Sequence, residues 1–257
     1  RTDEYGGSLQ NRTRFLRELI EDTKEAVGDT CAVAVRLAVD ELLGADGITS
    51  GNEGHEILAL LAELPDLWDV NISDWNNDSG TSRFEKEGYQ ERYTSFVKSL
   101  TSKPVVGVGR YTSPESMLSA VQSGVVDLIG AARPSIADPF LPEKIRLGRL
   151  EDIRECIGCN ICVTGDTQFV PIRCTQNPTM GEEWRRGWHP EYIPKLKKTG
   201  LEVAVIGAGP AGLECARALG QRGARVTLLE SQRELGGRVR LESGLPGLSE
   251  WRRVMDW

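Results

Sequence analysis

Residues 104–130 read PVVGVGRYTSPESMLSAVQSGVVDLIG, and the fold class follows from this stretch. It opens on a short β-branched run, Pro104–Val108, and crosses a turn-rich loop into an amphipathic pattern over Pro114–Ser123. It closes on a second apolar run, Val126–Gly130. Strand, helix and strand at this spacing form one βαβ unit, whose two strands lie parallel. The alternation repeats upstream, with strands predicted at Cys31–Arg36 (CAVAVR) and Trp68–Ile72 (WDVNI). Helices are predicted at Asn11–Val27, Glu53–Ala62 and Tyr89–Leu100. The class is therefore α/β. Four such units are half of a (β/α)8 barrel; a doubly wound sheet would show the same periodicity.

Downstream of Leu150 the pattern lapses. Residues 151–198 hold four of the six cysteines, together with Trp184 and Trp188, and little regular periodicity. Such a segment is organised around something other than a hydrophobic core. A fresh strand, turn and helix begin at Leu201, where 203–212 read VAVIGAGPAG. In this G-x-G-x-x-G, Gly207 permits the tight turn, Gly209 a close approach of pyrophosphate, and Gly212 close helix–strand packing. Glu230 ends the next strand, at the place of a ribose-binding acid about 20 residues on. The glycine pair Gly236–Gly237 follows in ELGGR. Three regions are expected: 1–150, the barrel-like half; 151–198, the cysteine segment; and 199–257, the start of a Rossmann-like dinucleotide-binding domain of FAD/NAD(P) type. The chain opens without a methionine and closes soon after the glycine fingerprint. The sequence is therefore expected to be a piece of a longer protein.

Composition narrows the function. With 39% hydrophobic and 27% charged residues the chain has ordinary globular content. A net charge of −7 without a basic stripe argues against nucleic acid or an anionic membrane surface as partner. No apolar run approaches the ~20 residues that span a bilayer, and no secretory signal opens the sequence. A soluble, cytoplasmic protein is expected.

Cys156, Cys159, Cys162 and Cys174 read C-x2-C-x2-C-x11-C. Two-residue gaps let successive thiolates converge on one small inorganic core. Soft thiolates suit iron–sulfur clusters or zinc. Structural zinc sites more often use two separated CxxC pairs, so a tight triplet plus one points to [4Fe–4S], with zinc as the alternative. A disulfide framework does not suit a non-secreted chain of this size. Cys31 and Cys215 fall in apolar runs and are expected to be buried packing residues.

The stretch ECIGCNICVTGDTQFVPIRCTQNP and the GEEWRRGWHPE that follows resemble the cluster region of the trimethylamine/histamine dehydrogenase family of iron–sulfur flavoproteins. So do the opening RTDEYGGSLQNRTRF and the runs GVGRYTSPE and GAARPSIADPFLP, which resemble the second half of that family's flavin barrel. The resemblance covers the whole chain and implies that the four strands are barrel strands 5 to 8. It implies FMN, held at the strand ends by Gly107, Gly109 and Arg110 and by Gly130, Ala131 and Arg133. Arg36 would face the flavin pyrimidine, where a cation stabilises the charge of reduction. Without the resemblance these glycines could serve only tight turns. The family's covalent flavin tether is an upstream cysteine that this chain does not contain, and the chain alone is expected to hold flavin poorly and to be inactive.

On the substrate side the resemblance implies a Tyr–His–Asp arrangement whose aspartate is Asp78, orienting the histidine. Trp75 matches an aromatic of the amine pocket, where a π face attracts a substrate cation; it could instead be a hydrophobic plug. Asp166 stands where trimethylamine dehydrogenase has a second pocket tryptophan, in a loop one residue shorter. A carboxylate suits a substrate with a polar far end, such as imidazole, so the resemblance points to histamine. Trimethylamine or dimethylamine is the alternative, and an NAD(P)H-dependent ene-reductase of the dienoyl-CoA type a more distant one. The second nucleotide site would hold ADP, or FAD as in those reductases. An electron-transferring flavoprotein as acceptor and a homodimer are also implied. His55 is expected at the surface, and His189 to be structural.

Overall fold

In the computed structural model, which describes residues 1–73, 84–198 and 200–257, the four β-branched runs become a parallel sheet of β1 (Ala34–Asp40), β2 (Leu67–Ile72), β3 (Val105–Gly107) and β4 (Leu128–Ile129). The order is β1-β2-β3-β4, each strand beside its predecessor. A doubly wound sheet reverses direction at a switch point. This one does not, so all its crossover helices fall on one face, as in a barrel.

Burial shows which face. In β2, Trp68, Val70 and Ile72 are 0–3% exposed, whereas the alternating Leu67, Asp69 and Asn71 are only half-buried. Side chains alternate with period two along a strand, so the first set packs under helices and the second lines the opposite face. Leu58 and Leu61 of α2 (Glu53–Leu61) and Val39 of β1 share the helix-covered core. Helix α1 (Leu9–Val27) starts where the Ser8 hydroxyl accepts the Asn11 N–H. Helix α3 (Pro114–Gln122) starts the same way, with Ser113 accepting the Ser116 N–H and proline in the first turn.

Four expectations are corrected. The single helix over 89–100 is two separate turns, Glu91–Thr94 and Val97–Leu100. Strand β1 begins three residues later than the apolar run, because a 3-10 turn at Gly28–Thr30 occupies the approach. Cys31 consequently lies outside the strand and is exposed, and Arg36 sits inside β1 rather than at its end.

The chain divides into two compact units, Arg1–Ala131 and Ala132–Trp257. The second begins with α4 (Ala132–Ala137) and α5 (Leu141–Arg146), runs through the cysteine segment with α6 (Ile161–Thr167), and ends in a β–α–β unit. There β5 (Glu202–Ile206) pairs in parallel with β6 (Arg225–Leu229), joined by α7 (Pro210–Gln221); α8 (Gly237–Glu242) follows. Cys215 lies on the solvent side of α7 and is exposed, not buried as its apolar neighbours suggested. Among the described residues no helix is long and apolar enough to cross a membrane.

Candidate cofactor sites

All four cysteines of the triplet-plus-one line a single pocket in the second unit, with Arg133, Thr175 and Gln176 among their neighbours. The backbone achieves this by two left-handed residues inside the triplet, Gly158 at φ 64° and Asn160 at φ 60°. They turn the chain back between successive cysteines, and Asn160 then leads into α6. The Gly158 N–H donates to Cys156 Sγ at 3.4 Å, and the Gln176 N–H to Cys174 Sγ at 3.3 Å. The Thr175 hydroxyl lies 3.1 Å from Cys159 Sγ. Burial pushes the Cys156 thiol up to about 11 and raises Cys162 and Cys174 as well; the charge of Arg133 opposes this at Cys156 and Cys162. Among the described residues, no group of three or more His, Cys, Asp or Glu side chains is arranged to hold a single metal ion. Clustered soft sulfurs with backbone N–H donors and a hydroxyl beside them would suit an iron–sulfur cluster.

Two features that the sequence did not signal hold this segment in place. The Arg154 guanidinium donates to the Gln176 carbonyl, and the Gln176 side chain returns a bond to the Glu155 carbonyl at 3.0 Å. The chain before Cys156 is thus tied to the chain after Cys174. Arg154 also stacks 3.9 Å over the Trp257 ring and pairs with Glu214 of α7 at 3.4 Å. Lys144 is buried against Asp138 at 2.7 Å, and Asp138 accepts the Arg154 N–H at 3.0 Å. His189 is structural as expected: its Nδ1 accepts the N–H groups of Glu191 and Tyr192, and its ring stacks on Phe140.

The expected flavin residues separate into different roles. Gly107 and Gly130 are packing glycines. A Cβ at Gly107 would stand 2.4 Å from Val126, and one at Gly130 2.6 Å from Val108. The Gly130 N–H is already used, donating to the Gly107 carbonyl at 2.9 Å. Ala131 follows at the end of the first unit. Gly109 accepts the Gly88 N–H through its carbonyl. Arg110 adopts φ 60° and donates to the Glu85 carbonyl, while its Nε is enclosed without a partner among the described residues. Arg133 lies in the second unit, 3.2 Å from Asn160 Oδ1 and at the wall of the cysteine pocket. Arg36 is on the open face of the sheet, paired with Asp69 at 3.1 Å. A guanidinium nitrogen beyond β3 that is enclosed without a partner among the described residues, and a cation on the open face of β1, fit an anionic, ring-bearing cofactor.

The glycine fingerprint behaves as its spacing predicts. Gly207 takes φ 95°, which side chains with a Cβ avoid. A Cβ at Gly212 would lie 1.9 Å from the Gly207 carbonyl oxygen, so helix and turn touch there. Glu230 fastens the end of β6 to this turn, accepting the Ala208 N–H at 2.7 Å and the Gln232 N–H at 2.9 Å. Those N–H groups, Ala208 foremost, hold its carboxyl below the usual range.

Trp75 and Asp78 lie outside the described residues. Asp166 is exposed on α6, and His55 is exposed and stacks on Phe96 at 5.2 Å.

Residues 1–152 match the NADH:flavin oxidoreductase / NADH oxidase family, and residues 205–249 an NAD(P)-binding Rossmann-like domain. Dimethylamine dehydrogenase of Hyphomicrobium sp. (strain x) is 49% identical over 100% of this chain and 35% of its own length. Two solved structures are similar throughout. The 6-hydroxypseudooxynicotine amine oxidase of Pseudomonas geniculata N1 shares 56% identity at TM-score 0.95, covering 100% of this chain and 38% of that one. Histamine dehydrogenase of Rhizobium sp. 4-9 shares 58% at TM-score 0.93, covering 99% and 37%. The chain thus spans little more than a third of the length of these relatives. With its flavin-family barrel strands and Rossmann-like unit, it belongs to the NADH:flavin oxidoreductase / NADH oxidase family and resembles the amine dehydrogenases within it.

Proposed function

We propose that this chain is part of a flavin- and iron–sulfur-dependent amine dehydrogenase acting on histamine or an amine like it. The observation that carries the reading is likeness along the whole chain, at 49%, 56% and 58% identity, to three proteins named for oxidation of amines. Bound FMN supplies the two-electron acceptor for the amine carbon–nitrogen bond, whose imine product water splits to aldehyde and ammonia, and a [4Fe–4S] cluster supplies the single-electron exit.

Arg36 holds positive charge on the open sheet face, where it would favour reduction at a flavin's pyrimidine edge. Gly109 and Arg110 would bind its phosphate. Cys156, Cys159, Cys162 and Cys174 would ligate the cluster, with the donors to their sulfurs limiting the charge it must bear. Asp78 would orient a histidine contributed by the rest of the barrel, Trp75 would receive the ammonium on its face, and Asp166 would accept a hydrogen bond from an imidazole N–H. Gly207, Gly209, Gly212 and Glu230 would hold ADP, with FAD as the alternative. An electron-transferring flavoprotein as acceptor, a homodimer and a cytoplasmic setting complete the reading; a reducing compartment keeps such thiolates available.

The test is anaerobic stopped-flow bleaching of the flavin-loaded enzyme by histamine, trimethylamine, dimethylamine and NADPH in turn. Fast reduction by histamine and slow reduction by the methylamines is expected. Fast reduction by dimethylamine or trimethylamine instead would transfer the substrate assignment to them. Reduction by NADPH alone would overturn the amine reading in favour of an ene-reductase.

A further inference from the structure

We propose that Asp69 is a positioning residue for the flavin, a fixed counter-charge that aims Arg36 and lowers the flavin's reduction potential. The proposal rests on the FMN reading above. Asp69 and Arg36 are direct register partners on β2 and β1, and Arg36 Nη1 lies 3.1 Å from Asp69 Oδ2. Both belong to the alternation that faces away from the helices, since Trp68 and Val70 on either side of Asp69 are fully buried on the helical side. Asp69 stands beside Asn71 on the half-buried side of the β2 alternation, and core packing does not account for a carboxylate there.

The ion pair accounts for only half of the group. Asp69 Oδ1 is enclosed and has no hydrogen-bond partner among the described residues. A purely structural carboxylate with an enclosed oxygen would have that oxygen satisfied, as the more deeply buried Asp138 does in the second unit. Asp69 is instead tied at one oxygen to the one cation expected to face the flavin. Two consequences follow from charge and geometry. The strand register fixes the guanidinium's direction, because both partners are anchored in adjacent backbone. The pair also presents less net positive charge to the ring than a free arginine would, so the anionic reduced flavin gains less than it otherwise could.

The test is potentiometric titration of the flavin in the flavin-loaded enzyme and its Asp69→Asn variant. Asparagine keeps an oxygen that can accept from Arg36 and removes the charge. The variant is expected to shift the reduced-to-oxidised ratio at fixed potential about tenfold towards reduced, a rise of about 30 mV for this two-electron couple. Asp69→Glu is expected to restore the parent value. An unchanged or lower potential in Asp69→Asn overturns the proposal while leaving the flavin reading intact. If the purified parent enzyme carries no flavin, the reading itself falls and the proposal with it. If Asp69→Asn is folded by circular dichroism but releases its flavin, the dissociation constants of oxidised and reduced FMN report the same quantity. Their ratio is then expected to rise about tenfold in the variant, and a ratio that does not rise overturns the proposal.

Discussion

Replacing Lys144 by methionine removes a cation from a place that water does not reach. The Lys144 and Asp138 side chains are 2% and 1% exposed. Nζ stands 2.7 Å from Asp138 Oδ2, 2.7 Å from the Asp152 carbonyl and 2.8 Å from Glu191 Oε1. Asp138 keeps two backbone donors in the variant, the N–H groups of Phe140 and Arg154, each at 3.0 Å, but no opposite charge. Removing one member of a buried pair costs about 3–5 kcal/mol, because the partner's charge is left uncompensated. At 1.36 kcal/mol per decade this is a factor of roughly 10² to 10³·⁷ in the folding equilibrium. Methionine fills most of the lysine's volume, so the cost is electrostatic and not that of a cavity. The assay is urea unfolding followed by circular dichroism, with the iron content of the folded protein read in parallel. Arg154 hangs from Asp138 and stands two residues before Cys156, so iron retention is expected to fall along with stability. The Lys144→Met, Asp138→Asn double variant removes both charges and is expected to recover at least roughly 2 kcal/mol of the loss, as coupled neighbours do. A Lys144→Met cost below about 1 kcal/mol, or a double variant that costs the sum of the singles, would refute the reasoning.

Three further outcomes follow from the same geometry. Gly212→Ala places a methyl 1.9 Å from the Gly207 carbonyl, and such overpacking costs about 1–3 kcal/mol; the purified variant is expected to release little or no adenine nucleotide on denaturation, measured by chromatography. Thr175→Val removes the hydroxyl 3.1 Å from Cys159 Sγ. The cluster's reduction potential, followed by electron paramagnetic resonance, should fall by about 20–40 mV, corresponding to ~0.5–1 kcal/mol of hydrogen bond for one electron, whereas Thr175→Ser should keep the parent value. The third outcome is a pH profile. Arg185 and Arg186, helped by the charge of Arg173, hold the Glu182 carboxyl at about 2. An unfolded glutamate titrates near ~4.3. A lowered carboxyl stabilises fully above the unfolded value and progressively less as pH falls towards the folded one. Fluorescence of the neighbouring Trp184 is expected to report loosening of this turn between those two pH values, and Glu182→Gln to abolish that dependence; an unaltered profile in the variant would mean that another group titrates there.

Local chemistry was the legible part. The β-branched runs over 68–72 and 104–108 lie on strands because such side chains suit a buried pleat, and in the fingerprint Gly207 takes a positive φ and Gly212 makes the close helix–turn contact its spacing implies. The cysteine spacing was enough to bring four sulfurs to one pocket. Element ends were less legible. Composition alone places Cys31 in a strand, yet the 3-10 turn at Gly28–Thr30 delays β1 and leaves the thiol outside. Arg36 shows the consequence: an apolar run that ends at an arginine suggests a strand end, but the hydrogen-bonded ladder continues to Asp40.

Pairings between distant segments were not legible at all, because they depend on register and not on composition. Asp69 and Asp138 make the point together. Each is an acidic residue next to apolar neighbours, and a single sequence offers no ground for ranking them. The structure separates them by what surrounds each oxygen. Asp138 meets Lys144 and two backbone N–H groups, which satisfies its charge and its lone pairs, and such a group has no capacity left for a ligand. Asp69 meets one guanidinium on the open face and keeps an enclosed oxygen that has no donor among the described residues. An unsatisfied buried acceptor costs about 1–3 kcal/mol, and a sheet built for stability alone would gain by replacing it with an apolar residue. Burial of charge is therefore a poor guide to function in this chain. The unequal satisfaction of Asp138, buried with both oxygens paired, and Asp69, half-buried with one enclosed oxygen, is a better one, and it singles out the strand that would lie against the flavin.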